Sequence, residues 1–177
     1  LDGDADRAIV VDERGKAVPN DFLSALLARV ALARHPGAAI VYDLRSSWVL
    51  KEEIERAGGI PVRERVGHSF IKATMRDRKS PFGGELSGHT YWAENYTADS
   101  AMIAMVKTLS LLQEAGRPLS TLLAPLKRYH ATGEVNFVVA DKDAKIREIA
   151  QAFHDGRTDH LDGITVEYPD WWFNVRK

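Results

Sequence analysis

The 177-residue sequence contains no cysteine. Disulfides and thiolate metal sites are therefore excluded, and a reducing, cytoplasmic location is the expectation. Net charge is almost absent as well, since Lys+Arg 24 against Asp+Glu 25 leaves −1. No bulk basic field is available to hold nucleic acid. No apolar run reaches the roughly 18 residues that a membrane-spanning helix requires. Internal repeats and low-complexity tracts are missing too. The charged N-terminus is not that of a signal peptide. A chain of this length can hold one medium domain or two small ones around a real core.

What is present begins at once, with Leu1-Asp2-Gly3-Asp4-Ala5-Asp6-Arg7. Three carboxylates at alternating positions, separated by small residues, can curl around one hard cation. Mg²⁺ suits such oxygen donors and usually keeps places for water or phosphate oxygen. Arg7 then either neutralises the carboxylates or offers its planar fork to a phosphate or sugar oxygen. Two other readings remain open. A Ca²⁺ hand starting at Asp2 would have Ile9 and Glu13 in fitting places, but Arg7 stands where its turn needs glycine. A solvated acidic turn is the blandest alternative.

Alternation of short strands and helices runs from Ala8 to Ala115 and predicts an α/β layer. Strands are expected at 8–11, 38–42 and 60–65. Helices are expected from Asn20 as cap to Arg34, from the cap Ser47 to about Ala57, and from Gly67 to about Arg78. A long helix capped by Thr97 should run to about Ala115 with Met102, Ile103, Val106, Leu109 and Leu112 inward. A short helix follows over 119–129. The texture then changes. Glu134 to Ala140 alternates as a half-buried strand, a helix is expected over 143–153, and strands near 164–168 and 171–175. The boundary is set between an α/β domain at 1–122 and a smaller α+β domain at 123–177.

A second chemistry-bearing stretch is Gly83-Gly84-Glu85-Leu86-Ser87-Gly88-His89. It sets a carboxylate, a hydroxyl and an imidazole within five residues, the short mixed donors and acceptors that vicinal sugar hydroxyls need. Zinc at His89 is disfavoured, because no cysteine or second histidine has ligand spacing. His68 falls in the first turn of a helix, where free N–H groups favour anions, and so reads as a phosphate contact, a proton-transfer group or a plain cap. Arg45 follows a strand at its carboxyl end, where α/β sheets place ligands. The run from Trp171 to Phe173 reads mainly as packing.

These stretches, in this order, resemble the α-D-phosphohexomutase family, and the wording Gly-Glu-Leu-Ser-Gly-His is similar to its phosphomannomutase/phosphoglucomutase branch. The phosphoglucosamine branch tends to carry glutamine where Leu86 stands. The resemblance implies Mg²⁺ on Asp2, Asp4 and Asp6, with Arg7 at the phosphoryl-transfer centre. It implies sugar binding by Gly84, Glu85, Ser87 and His89, and phosphate contact or proton transfer by His68, His89 and Arg45. Ala5 stands at a position where the family commonly has glycine, and Arg45 where it usually has lysine. The fold implied is the mixed-sheet α/β third domain followed by a smaller, TATA-binding-protein-like α+β fourth domain. The phosphate-binding loop would begin at Arg176. The expected reaction interconverts hexose 1-phosphate and hexose 6-phosphate through an enzyme phosphoserine and a bisphosphorylated sugar. The phosphoserine would belong to N-terminal domains that this chain lacks, leaving it inactive alone. No membrane or nucleic-acid partner is expected. A non-catalytic, Mg²⁺-dependent sugar-phosphate binding module is the alternative.

Overall fold

Ala-Ile-Val-Tyr-Asp at 39–43 has no polar side until its last residue, as a strand covered on both faces must. In the computed structural model, which describes residues 1–177, this strand is β1 (Ala39–Asp43). It lies inside a five-stranded mixed sheet of order β2-β1-β3-β4-β5. β2 (Ile60–Glu64) and β3 (Phe82–Gly84) pair with it in parallel. β4 (Thr90–Trp92) pairs antiparallel with β3, and β5 (Ala98–Asp99) antiparallel with β4.

Side chains of successive residues leave the sheet on opposite faces, and the two cores divide accordingly. Ile40, Tyr42, Phe82 and Trp92 pack with α1 (Asn20–Arg34), α2 (Trp48–Arg56) and α4 (Ala101–Ala115). Val41 and Tyr91 pack on the other side with Ile71 and Met75 of α3 (His68–Arg78). Each fully buried Leu, Ile or Phe contributes roughly 1.5–3 kcal/mol by leaving water. Buried Asp21 ties two helix starts together, accepting from Phe22 N at 2.9 Å and Ser47 N at 3.2 Å.

The helix signals are partly displaced. Ser47 caps α2 as expected, its oxygen accepting from Val49 N. Asn20 is the first residue of α1 rather than its cap; Pro19 precedes it, and the Asn20 amide is engaged elsewhere. Ser100, not Thr97, caps α4, because Thr97 has a left-handed φ of 61°. α4 presents the expected face only in part, with Ile103 and Leu112 packed against the core. Ala101, Ala104 and Thr108 are buried, while Met102, Val106 and Leu109 are 51–57% exposed. Small residues allow the close approach to α1, Ile103 and Leu112 pack beside them, and Met102, Val106 and Leu109 are left outside.

The 8–11 run forms no strand. Its backbone makes isolated bridges only, Arg7 with His89 and Val11 with Ala17, around a turn in which Asp12 accepts from Arg14 N and Lys16 N, both at 2.9 Å. After α5 (Leu119–Leu123) the chain continues as a 3₁₀ turn at Ala124–Leu126.

Packing divides the chain into two units, Leu1–Ala131 and Thr132–Lys177. The division falls later than the one expected after residue 122, because Leu123 and Leu126 are buried in the first unit's core. The second unit holds α6 (Lys142–Ala152) and an antiparallel sheet of β6 (Arg157–Asp159), β7 (Ile164–Glu167) and β8 (Trp172–Val175). Residues 134–140 are exposed and not paired as a strand, with Phe137 at 80%, since neither edge of this sheet takes them up. Phe153, Trp171 and Phe173 pack ring against ring, the Phe153 and Phe173 centroids 4.9 Å apart.

Candidate functional site

Because β1, β2 and β3 are parallel, their carboxyl ends share one edge of the sheet, the edge where open α/β sheets place ligands. Three segments leave from it: the turn carrying Arg45, the turn into α3 carrying His68, and the loop Glu85–His89. β4 starts at the same edge and runs back. The acidic loop joins them, because Arg7 bridges His89 through backbone and Ala8 N donates to Gly88 O at 3.4 Å.

Within that loop one oxygen from each of Asp2, Asp4 and Asp6 lies within 4.8 Å of the others. Arg7 Nε donates to Asp2 Oδ2 at 2.6 Å and lies 3.8 Å from Asp6 Oδ1. The hydrogen bond from Arg7 holds the Asp2 carboxyl down at about 2. Asp6 Oδ1 is buried with no hydrogen-bond partner. Hard oxygen donors at mutual reach, one of them an orphaned buried acceptor, fit a hard divalent cation such as Mg²⁺. Ala5 sits at φ 60°, so the loop uses a left-handed residue where only glycine is free of strain. Alanine where the resembling family commonly has glycine therefore carries a backbone cost.

The second loop is a tight turn, with Gly88 N donating to Glu85 O and Glu85 N to His89 O, both at 3.0 Å. Gly88 has φ 101°, which L side chains rarely adopt. Gly84 ends β3 against α1, and a Cβ there would lie 2.5 Å from Ser24 Oγ. Its role is close packing that delivers the loop.

Side chains then form one connected chain. Buried Tyr91 donates to Glu85 Oε1 at 2.5 Å, Ser87 Oγ donates to Glu85 Oε2 at 3.2 Å, and Ser87 Oγ meets His89 Nδ1 at 2.8 Å. His89 Nε2 reaches Asp6 Oδ2 at 3.4 Å. Burial pushes the Tyr91 phenol far up, and its bond to Glu85 pushes it further, so Tyr91 remains a donor. Asp99 completes the cluster, with an oxygen within 4.8 Å of ligand atoms of Asp6 and His89. Burial raises the Asp99 carboxyl, but the 2.9 Å bond from Lys72 and the charges of Lys72 and His89 outweigh it and hold it low.

Of the residues singled out in the sequence, Asp2, Asp4, Asp6, Arg7, Glu85, Ser87 and His89 therefore come together. Arg45 is tied to the same loop indirectly. Asp43, fully buried at the end of β1, accepts from Arg45 Nη2 at 2.7 Å and from Leu86 N at 2.9 Å. His68 shares the edge, as the exposed first residue of α3. Arg176 belongs to the second unit, 4.0 Å from Asp162. Asp43, Lys72, Tyr91 and Asp99 were not anticipated. An acid closing an otherwise apolar strand, as Asp43 does, was the one signal available.

Residues 19–129 match the family model described as phosphoglucomutase/phosphomannomutase, alpha/beta/alpha domain III. The match begins after the acidic loop. A phosphomannomutase from Methanocaldococcus jannaschii is 39% identical over 176 residues, covering 99% of this chain and 39% of the relative. A phosphoglucomutase/phosphomannomutase family protein from Burkholderia thailandensis, solved by X-ray crystallography, has a TM-score of 0.86 at 32% identity. That alignment covers 99% of this chain and 38% of that one. N-acetylphosphoglucosamine mutase from Aspergillus fumigatus, solved with GlcNAc-6P and magnesium, is alike in fold alone, with a TM-score of 0.59 at 16% identity over 97% of this chain and 46% of its own. The chain thus spans well under half the length of the relatives it matches. With the acidic loop and the Glu85–His89 turn on the carboxyl edge of a mixed sheet, and with more than half of its residues under the family model, the chain belongs to the phosphoglucomutase/phosphomannomutase family.

Proposed function

We propose that this chain supplies the metal and sugar loops of a phosphohexomutase that interconverts hexose 1-phosphate and hexose 6-phosphate. The contact between His89 and Asp6, which joins the two loops, carries this reading. Asp2, Asp4 and Asp6 would hold Mg²⁺, the metal bound in the Aspergillus neighbour. The ion supplies positive charge beside a transferring phosphoryl group.

The chain's own residues do the rest. Arg7 commits Nε to Asp2 and turns its terminal nitrogens to a phosphoryl oxygen, offsetting charge that develops there. Glu85 and Ser87 exchange their mutual bond for sugar hydroxyls. His89 lies between the sugar hydroxyl and the acidic loop, placed to hold a proton, and Arg45 and His68 face the phosphates. In this reading a phosphoserine outside the chain gives its phosphoryl group to the sugar hydroxyl, whose proton passes to a base. The resulting bisphosphate turns over and returns its other phosphate to the serine. The second unit is the fourth, TATA-binding-protein-like domain, with Arg176 at its phosphate loop.

The test joins the chain to the part of the Methanocaldococcus relative that it does not cover. Mutase turnover is then measured with mannose 1-phosphate and glucose 1-phosphate. Mg²⁺-dependent turnover by the fusion, with none from the chain alone, is expected. Tight bisphosphate binding by the chain, with no turnover by a folded fusion, would make it a binding module instead.

A further inference from the structure

We propose that Asp43 is a positioning residue that sets Arg45 and the sugar loop in one fixed relation; this rests on the function proposed above. The Asp43 side chain has no exposed surface, and its two oxygens serve three donors. Oδ1 accepts from Arg45 N at 2.9 Å, and Oδ2 accepts both Arg45 Nη2 at 2.7 Å and Leu86 N at 2.9 Å. Leu86 is the residue between Glu85 and Ser87. Its carbonyl is gripped as well, by Asn20 Nδ2 at 3.0 Å. The backbone at the middle of the sugar loop is thus held from one side by the end of β1 and from the other by the start of α1.

The sharing of Oδ2 gives the device its content. A phosphate drawn to Arg45 competes with Oδ2 for the guanidinium. Loosening that contact changes the charge that Leu86 N–H faces. A phosphate at Arg45 and the position of Glu85 and Ser87 are therefore linked through one atom. Buried carboxylates persist only when paired and hydrogen-bonded, and here both conditions are met by the two groups that the site must keep in register. Asparagine cannot replace it. Its single carbonyl oxygen can serve part of the set, while its NH₂ would face another donor.

The test uses the 177-residue chain, with amide hydrogen exchange at Leu86, Ser87 and Gly88 as one readout. The other is the dissociation constant for glucose 1,6-bisphosphate with Mg²⁺. Asp43→Asn is expected to speed Leu86 exchange by about 10- to 100-fold, the worth of a hydrogen bond to a charged group. Exchange in the interior of α1 should not change, and bisphosphate binding should weaken by a similar factor. Arg45→Met should weaken binding yet leave Leu86 protected. The double variant should lose little more than the larger single loss. Unchanged Leu86 exchange in Asp43→Asn, protection lost evenly across the first unit, or fully additive losses would each overturn the assignment. If Asp43→Asn does not fold, Asn20→Ala must shift the Leu86–Gly88 amides, and no shift there overturns the grip. The function proposed above is decided by turnover of the fusion; if the unmutated chain does not bind the bisphosphate, Leu86 exchange alone decides the role of Asp43.

Discussion

Replacing Gly84 by alanine tests whether close packing on α1 fixes the sugar loop. Gly84 pairs with Tyr42 on one side and Thr90 on the other, so its backbone has little room to shift. An alanine Cβ would lie 2.5 Å from Ser24 Oγ and 3.0 Å from Ser24 Cβ, both inside ordinary contact distance. Ser24 is itself buried on α1. Rotating its hydroxyl away relieves the first clash at about 0.5–1.5 kcal/mol if the new angle is off-rotamer. The second clash remains and must be met by moving the strand or the helix. Overpacking of this kind costs about 1–3 kcal/mol. With a urea slope of about 2 kcal/mol per molar, the unfolding midpoint should fall by roughly 0.5–1.5 M. Urea unfolding followed by far-UV circular dichroism measures it. Adding Ser24→Ala removes the oxygen but not the carbon, so it should recover part of the loss and not all of it. A Gly84→Ala chain as stable as the parent, or no recovery from Ser24→Ala, would refute the packing account.

Other outcomes can be read from the same geometry. Tyr91→Phe keeps the buried ring but strips Glu85 of a donor, and should cost about 1–3 kcal/mol in urea unfolding. In the parent, native Tyr91 keeps its proton where an unfolded tyrosine ionises near 10.0. The native state then binds more protons, and stability falls as pH rises above 10. Phenolate absorbance should show Tyr91 ionising only with unfolding. The Asp2 carboxyl should titrate near 2 by carbon NMR, and Arg7→Ala should move it toward 3.8. Between those values the native state binds fewer protons than the unfolded chain, so this pair's contribution is lost as pH falls from 3.8 to 2. Arg128→Ala removes both terminal nitrogens from Glu53 Oε1, each at 3.0 Å. Because Glu53 is buried, the loss should be about 1–3 kcal/mol in urea unfolding.

Local signals were read well where the cause is local. The Ser47 cap, the end of the long helix at Ala115 and the three carboxylates of the acidic loop each depend on neighbours within a few residues. Signals that need a distant partner were not. The apolar runs at 8–11 and 134–140 look like strands by composition, but a strand exists only where another strand accepts its hydrogen bonds. The inward face of α4 was read for Ile103 and Leu112 but not for Met102, Val106 and Leu109, because the helix is apolar on more than one side and its packing on α1 decides which side is covered. Glu85, Ser87 and His89 were visible as a motif. What holds them was not, since Asp43 and Asn20 lie 43 and 66 residues away from Leu86.

The outward face of α4 has a practical consequence for anyone producing the chain. Met102, Val106 and Leu109 are spaced one turn apart, and Met105 adds to them at 38% exposure. A continuous greasy stripe on a helix favours self-association as concentration rises. Because these side chains contribute little to the interior, lysine at 106 and 109 should be tolerated by the fold. The same replacements at Ala101 or Ala104, on the opposite side of the same helix, would not be. One helix therefore contains both the positions most open to solubility engineering and positions closed to it.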